Sequence, residues 1–563
     1  MGSPVFPRLR YSFMNLDLLS DIDPALETAF ARYDVLTQGI LESLPWEEQT
    51  ALRSNPRRVF VAKVYSSHSF WASLWRPRKA FWQAQGFSIA KPDADWRVSF
   101  AFIDPKRQAE ALRQSATVES SLPGEIPAPA GLEYFEYQKA GIQFLDSHPN
   151  VLLADDPGLG KTIQVCGLLN LRPQIRSVAI ICPASVKYVW ARELDRWLTD
   201  KSRVVSIAGS ALDPSAEILV CNYDLLRKFD ALLKSRRYDL LILDEAHYIK
   251  TAKALRTKAC KLLGTLATRK VLLTGTPIMN RPAELWSLLN LLDAKAWGPF
   301  FPFAQRYCAA FKGSFGWDFS GASNLPELNE RLRTSGTMLR RRKIDVLPQL
   351  PKAIHQIVPL PVDMTPVLEE LTERLAELMG FDLDNPPFEI DPTKIPFELI
   401  AAIRRETGTV KIEAALAFIE DETQGEEKIV VFGHHADVLK TLHGALTPSV
   451  LVTGKTSAKQ RTRAVASFQE TGGPRYFIAS IQAMGVGITL TAASRVIFVE
   501  QSWTPAEMEQ AESRLHRIGQ ANAVFSQYLV VRDSIDEKIL SAVVSKMRVI
   551  EAVLETDKSQ VSG

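Results

Sequence analysis

Short apolar runs recur along the chain from about residue 150, each followed by a segment with apolar residues at helical spacing. Val151-Leu152-Leu153-Ala154, Val178-Ala179-Ile180-Ile181-Cys182, Ile218-Leu219-Val220-Cys221, Leu240-Leu241-Ile242-Leu243 and Val271-Leu272-Leu273-Thr274 form one series. Ile429-Val430-Val431-Phe432, Val450-Leu451-Val452, Tyr476-Phe477-Ile478-Ala479, Val496-Ile497-Phe498-Val499 and Gln527-Tyr528-Leu529-Val530-Val531 form a second. Within a run the apolar residues do not alternate with polar ones. That is the mark of strands covered on both faces, and it predicts parallel sheets with crossover helices. The pattern therefore predicts two α/β lobes.

Between the series, over about 295–410, the pattern is helical and irregular. Val367, Leu368, Leu371, Leu375, Leu378 and Met379 recur at helical spacing, as for a helix packing on a core. The proline- and glycine-rich stretch 121–131 cannot sustain a helix or strand and reads as a linker. Before it, 59–65 and 96–100 read as strands and 70–85 and 106–114 as helices, a small α+β region. Trp71, Trp75 and Trp82 interleave there with Arg76, Arg78 and Lys79. Such a stretch either stacks on exposed bases and binds phosphates or forms a core with a charged rim.

Composition narrows the class without naming a partner. At 563 residues the chain exceeds one compact core. Apolar residues at 46% and charged residues at 23% are ordinary for a globular protein. A net charge of +3 does not argue for nucleic acid, so any basic surface must be local. The 5 cysteines are widely spread without metal or redox spacing, and no signal peptide or membrane-length apolar run is present. An intracellular soluble protein is expected.

The candidate chemistry begins at Asp155-Asp156-Pro157-Gly158-Leu159-Gly160-Lys161-Thr162. Two glycines before a helix start let the backbone approach an anion, and the first turn aims free N–H groups at it. Lys161 would reach terminal phosphates and Thr162 a Mg²⁺ ion. Asp155 stands where the usual phosphate loop has its first glycine. Asp244-Glu245-Ala246-His247 follows a strand run directly, at the end of the sheet where ligands bind. Asp244 would hold Mg²⁺, and Glu245 would orient and deprotonate the attacking water. Arg514 and Arg517, three apart, share a face if they lie on a helix; they either stabilise phosphoryl-transfer charge or sit in solvent.

From about 131 to 550 the chain resembles the Swi/Snf family of superfamily 2 helicase-like ATPases, with the motifs in the family's order. Tyr137-Gln138 with Gly141 looks like the glutamine motif, whose glutamine reads adenine, and Ala154 to Gln164 like motif I. Cys182-Pro183-Ala184-Ser185 with Trp190 looks like motif Ia, which touches the DNA backbone. Leu273-Thr274-Gly275-Thr276-Pro277 with Asn280-Arg281 looks like motif III, which couples the ATP site to DNA. Leu339-Arg340-Arg341-Arg342-Lys343 with Asp345-Val346-Leu347-Pro348 resembles the crossing between lobes. Gly485-Val486-Gly487-Ile488-Thr489 is similar to motif V, and Gln510 to Gln520 to motif VI. Within the family, Arg405-Glu406-Thr407-Gly408 with Lys411, Val431-Phe432-Gly433-His434-His435 and His516-Arg517 resemble the annealing-helicase (HepA-related, HARP) group. Ser513 stands where that group usually has aspartate. Phe87-Ser88-Ile89 to Trp96-Arg97-Val98 resembles its small HARP module.

The resemblance implies two RecA-like parallel-sheet lobes in tandem, with helical inter-lobe insertions and a small α+β N-terminal region. The expected boundaries are 1–125 for an accessory region, 126–345 for lobe 1, 346–400 for a helical insertion or linker, and 401–563 for lobe 2 with a terminal helix. It implies ATP bound by Gln138, Asp155, Asp156, Pro157, Gly158, Leu159, Gly160, Lys161, Thr162, Gly487, Arg514 and Arg517, with Mg at Thr162 and Asp244. Thr274, Gly275 and Thr276 would couple the sites. Pro183, Trp190, Arg340, Arg341 and Trp503 are candidates for DNA contact; the basic run serves either DNA or an inter-lobe ion-pair network, and Trp503 either DNA or packing.

The implied activity is a DNA-stimulated ATPase that translocates on duplex or forked DNA and remodels forks or protein–DNA complexes. It would be a monomer with a possible protein partner for targeting, away from membranes, in the nucleus or at the nucleoid according to source. A strand-separating DNA or RNA helicase and an ATP-switched DNA-binding regulatory factor are the competing readings.

Overall fold

The computed structural model describes residues 62–65, 87–89, 97–102, 111–121, 124–313, 316–367, 369–370, 373, 397–422, 427–483, 488–532 and 534–554. The chain divides into two compact units, Met1–Ser115 with Arg331–Gly336, and Ala116–Glu330 with Thr337–Gly563. In the first, β1 (Ala62–Tyr65), β2 (Phe87–Ile89) and β3 (Arg97–Phe102) make an antiparallel sheet in the order β1-β3-β2. The expected helix over 70–85 lies outside the described residues. The N-terminal stretch of this unit ends at Ser115, before the linker.

The second unit holds two fully parallel sheets. The first contains β4 (Asn150–Leu153), β5 (Val178–Cys182), β6 (Val205–Ile207), β7 (Ile218–Asn222), β8 (Tyr238–Asp244) and β9 (Ala267–Leu273). A hairpin of β10 (Phe311–Gly313) and β11 (Gly316–Asp318) lies on an excursion of short helices after β9, and β12 (Met338–Leu339) brings the chain back to the sheet. The order is β12-β4-β9-β8-β5-β7-β6. Because β9 lies between β4 and β8, the segments after Leu153, Leu273 and Leu243 emerge side by side at the carboxyl edge.

The second sheet has β13 (Ala353–Leu360), β14 (Ile429–Gly433), β15 (Ser449–Val452), β16 (Tyr476–Ser480), β17 (Arg495–Phe498) and β18 (Val524–Val531), in the order β13-β18-β17-β14-β16-β15. The apolar runs sit in the sheet centres with every residue of β5, β7 and β14 buried, because helices cover both faces. The predicted helical insertion over 346–400 is corrected here. β13 pairs in parallel with β18 over its whole length, from Ala353↔Val524 to Leu360↔Val531. Residues 353–360 therefore belong to lobe 2. Most of the apolar stripe between Leu368 and Met379 lies outside the described residues; Val367 joins the lobe 2 core.

Gly408, His434 and His435 of lobe 2 meet at one carboxylate. Glu500 accepts from the backbone N–H groups of His434 and His435 at 2.7 and 2.8 Å and meets His435 Nδ1 at 2.5 Å. A Cβ on Gly408 would lie 2.7 Å from Glu500 Oε1, so only glycine lets that helix approach. Lys411 pairs with Asp536 at 2.6 Å, both buried. The Arg405-Glu406-Thr407-Gly408 and Gly433-His434-His435 signatures are thus a packing knot.

Candidate active site

The loop after β4 runs into helix α1 (Lys161–Leu171). Gly158 has φ 95° and Gly160, the residue before the helix, φ 73°, both left-handed. A Cβ at Gly160 would lie 2.5 Å from Gln138 Nε2. Gln138 is buried behind the loop, donating to Leu159 O at 3.4 Å and accepting from Phe135 N at 3.1 Å. Lys161 folds back over the loop, donating to Asp155 O at 2.7 Å and Asp156 O at 3.3 Å. Thr162 is half-buried on the helix's first turn. Pro157 supports motif III, since a Cβ on Gly275 would fall 2.7 Å from its ring.

Asp155 does not face a ligand. It is fully buried and bound by Arg341, whose Nε donates to Oδ1 at 3.0 Å and whose Nη2 donates to Oδ2. Gln164 Nε2 adds a third donor at 3.0 Å. Asp155 thus replaces the first loop glycine with a buried anion held by its own cation. Arg340 donates to Ala154 O at 2.8 Å and Gly275 O at 3.3 Å and pairs with Asp156 at 3.4 Å. Both arginines are buried, so their assignment to DNA is corrected: they brace the nucleotide loop.

Asp244 closes β8, and its Oδ2 accepts from Trp190 Nε1 at 2.8 Å. Trp190 is fully buried. It therefore supports the acidic corner and is not available to DNA, a second correction. Pro183 is buried as well, and the exposed residues of that turn are Ala184 and Ser185. Burial, with the charge of Glu245 beside it, pushes the Asp244 carboxyl up to about 7. Glu245 follows with φ 50°, a left-handed conformation costly for a residue with a Cβ and found where function demands it. Burial would raise its carboxyl, but His247, Lys161 and Arg514 hold it below the usual range.

The arginines do not lie on a helix, as the spacing alone suggested. Helix α2 (Pro505–Glu512) ends before them, and Ser513 caps its end, donating to Gln510 O at 2.8 Å. The following turn still aims both into the cleft. Arg514 is buried, its Nε has no hydrogen-bond partner, and burial pushes it down to about 10 against the charge of Glu245. Arg517 donates to Ile488 O at 3.2 Å and Thr489 Oγ1 at 2.8 Å. Its Cβ lies 3.3 Å from where a Gly158 Cβ would be. Gly487 lies outside the described residues. Trp503 is half-buried, and its carbonyl accepts from Lys546 Nζ at 2.8 Å.

Three of the contacts that join the lobes lie close to the nucleotide loop and acidic corner, and the sequence pointed to none of them individually. Lys343 Nζ donates to His516 O at 2.7 Å, and Gly158 meets Arg517. The third is the end of a path. His247 Nδ1 lies 3.3 Å from Glu245 Oε2 and 3.2 Å from Thr274 Oγ1. Thr274 Oγ1 accepts from Thr276 N at 3.1 Å, and Thr276 Oγ1 accepts from Gln510 Nε2 at 3.2 Å. The path thus runs from the acidic corner through motif III to lobe 2.

The residues fit a nucleoside triphosphate with a divalent cation. The loop leaves room only for glycine, α1 presents its amino end, and two carboxylates meet in a buried corner. Arg514 Nε is buried without a hydrogen-bond partner, and Glu245 Oε2 has only the His247 ring at 3.3 Å. Fold and site define a two-lobed, helicase-like nucleotidase core.

The SNF2-related domain matches residues 107–369 and the helicase conserved C-terminal domain matches 410–519. A Caenorhabditis elegans homolog of SWI/SNF-related matrix-associated actin-dependent regulator of chromatin subfamily A-like protein 1 is 33% identical over 444 residues, 74% of this chain and 61% of the relative. The human DNA annealing helicase and endonuclease ZRANB3 is 32% identical over 449 residues, 76% of this chain and 41% of the relative. The chain thus spans roughly half the length of such curated relatives. The Sulfolobus solfataricus SWI2/SNF2 ATPase core in complex with dsDNA aligns at a TM-score of 0.38 and 21% identity, over 77% of this chain and 100% of that one. The chain belongs to the SNF2 family of superfamily 2 helicase-like ATPases, near the annealing helicases.

Proposed function

We propose that the protein is a Mg-dependent, DNA-stimulated ATPase that translocates on double-stranded DNA and remodels forks or protein–DNA complexes. The observation that carries the reading is the contact path from Glu245 through His247, Thr274 and Thr276 to Gln510. It links the group that would meet the attacking water to the opposite lobe, as a motor requires. The relatives' names, which include DNA annealing helicases, support DNA as the track.

Glu245, held as a carboxylate by its cationic neighbours, takes a proton from the water that attacks the γ-phosphorus. The bond to the β–γ bridging oxygen breaks, leaving ADP and phosphate. Lys161 and the loop N–H groups hold the phosphates, and Arg514 and Arg517 meet the charge that builds on the transferring group, an effect of about 10³–10⁵ in rate in related chemistry. Asp244 and Thr162 would hold Mg²⁺, which neutralises phosphate charge. The protein acts as a monomer, in the nucleus or at the nucleoid according to source.

ATP turnover on matched single-stranded, duplex and forked DNA tests the reading, together with displacement of a triplex strand. Duplex stimulation and triplex displacement without unwinding of a long duplex are expected, and Glu245→Gln keeps ATP binding while losing turnover. Robust separation of a plain partial duplex would support a helicase instead, and absence of turnover on any nucleic acid a binding factor.

A further inference from the structure

Lobe 1 carries a second concavity, about 1000 Å³, away from the nucleotide loop. Its floor is made by the segments that follow Glu245 and Thr276, with Lys250, Lys253 and Arg281 among its lining residues. One wall is the β10–β11 hairpin, which is exposed along most of its length. Phe311 is 58% exposed and Trp317 45%. The indole is held from the side by Phe301, edge-on at 4.8 Å, and lies parallel to Phe319 at 6.4 Å. Phe319 in turn rests edge-on against Phe300 at 5.1 Å.

Two details say what chemistry this surface takes. Every large apolar side chain lining the concavity is aromatic; no Leu, Ile, Val or Met is among them. Flat rings accept a nucleobase of any sequence, whereas an aliphatic groove accepts a peptide's apolar side chains. The cationic side is also uncommitted in part. Lys250 is balanced by Glu284 at 3.2 Å, whereas Lys253 and Arg281 are exposed and make no ion pair among the described residues; the Asp318 carboxylate accepts from Ser320 N at 2.7 Å and feels the charge of Arg281.

We propose that this concavity binds unpaired nucleotides of a single DNA strand, with bases stacked on Trp317 and Phe311 and phosphates against Lys253 and Arg281. The occupant is single-stranded DNA because stacking faces and exposed cations occur together, and the site deepens the DNA-translocase reading on which it rests. Its floor follows directly on the acidic corner and motif III, so an occupied site bears on the segments that leave the nucleotide cleft.

The test uses the full chain and two labelled DNAs, a blunt duplex and the same duplex with an oligo-dT arm, with affinity read by fluorescence anisotropy. The arm tightens binding of the unsubstituted protein. Trp317→Ala weakens the arm-bearing DNA roughly 5- to 150-fold, the loss expected for one stacked base, and leaves the blunt duplex within about twofold. Phe311→Ala, at a more exposed position, repeats the measurement without risk to folding. Lys253→Glu lowers the salt slope for the arm-bearing DNA by about 0.7. Equal losses on both DNAs, or unchanged affinity for the arm, overturn the proposal. Duplex-stimulated ATP turnover is followed in the same variants. Turnover with an arm-independent Trp317→Ala removes this inference alone, and arm dependence without duplex-stimulated turnover removes only the translocase reading.

Discussion

Trp190 Nε1 donates a 2.8 Å hydrogen bond to Asp244 Oδ2, which makes a fully buried indole part of the carboxylate corner. Trp190→Phe keeps the ring and removes the donor. A buried carboxylate that loses one hydrogen bond costs about 1–3 kcal/mol. The variant should fold, with a higher Mg²⁺ concentration for half-maximal ATP turnover. Titrating Mg²⁺ against turnover checks this; an unchanged requirement would separate the indole from the metal corner.

Asp155 and Arg341 stabilise each other inside lobe 1. Arg341→Met alone strands a buried carboxylate, which costs about 3–5 kcal/mol. The double variant Asp155→Asn with Arg341→Met should recover much of that loss. Urea midpoints for the two single variants and the double variant give the coupling, and additive losses would show that the pair does not interact.

Gln510 reaches across the cleft to Thr276. Gln510→Ala removes a contact worth about 1 kcal/mol, roughly fivefold in an equilibrium. The expected result is a DNA stimulation of ATP turnover reduced by about that factor, with turnover in the absence of DNA little altered. Steady-state assays with and without duplex decide it.

Acid should loosen lobe 2 through Glu500. Burial alone would raise its carboxyl, but the His435 side chain and the N–H groups of His434 and His435 hold it at about 2, against 4.5 when free. Its folded value is depressed, so its stabilisation is complete above about pH 4.5 and lost as pH falls toward 2. The full linkage is about 3 kcal/mol. Glu500→Gln should flatten the acid limb of the denaturation midpoint against pH; an unchanged limb would assign it to other carboxylates.

The legible parts of the sequence were those whose physics is local. Central strands such as β5 and β14 are apolar throughout because both faces are covered, and the glycine loop announces its own geometry. β13 was illegible because it is an edge strand: Ile354, His355, Gln356 and Ile357 follow one another and all are exposed, so neither an alternation nor an apolar run marks it. β12 is two residues long, and the hairpin has no buried residue to pattern it. Arg340 and Arg341 read as a surface charge run because their anions lie far back in the chain. The position of Arg514 and Arg517 in the cleft was legible through the motif, but not that α2 stops at Glu512. Glu500 carried no local signal; only the glycine and histidines that surround it did.

The partners Asp155 and Arg341 are 186 positions apart in the chain. During synthesis at about 5–20 residues per second, the loop would wait roughly 10–40 s for its cation. The β12 strand that borders β4 emerges at the same late moment. Nascent lobe 1 therefore carries a finished sheet centre beside an open edge and an uncompensated acid. Any fragment ending before residue 341 has the nucleotide motif in its sequence and lacks the cation that balances Asp155.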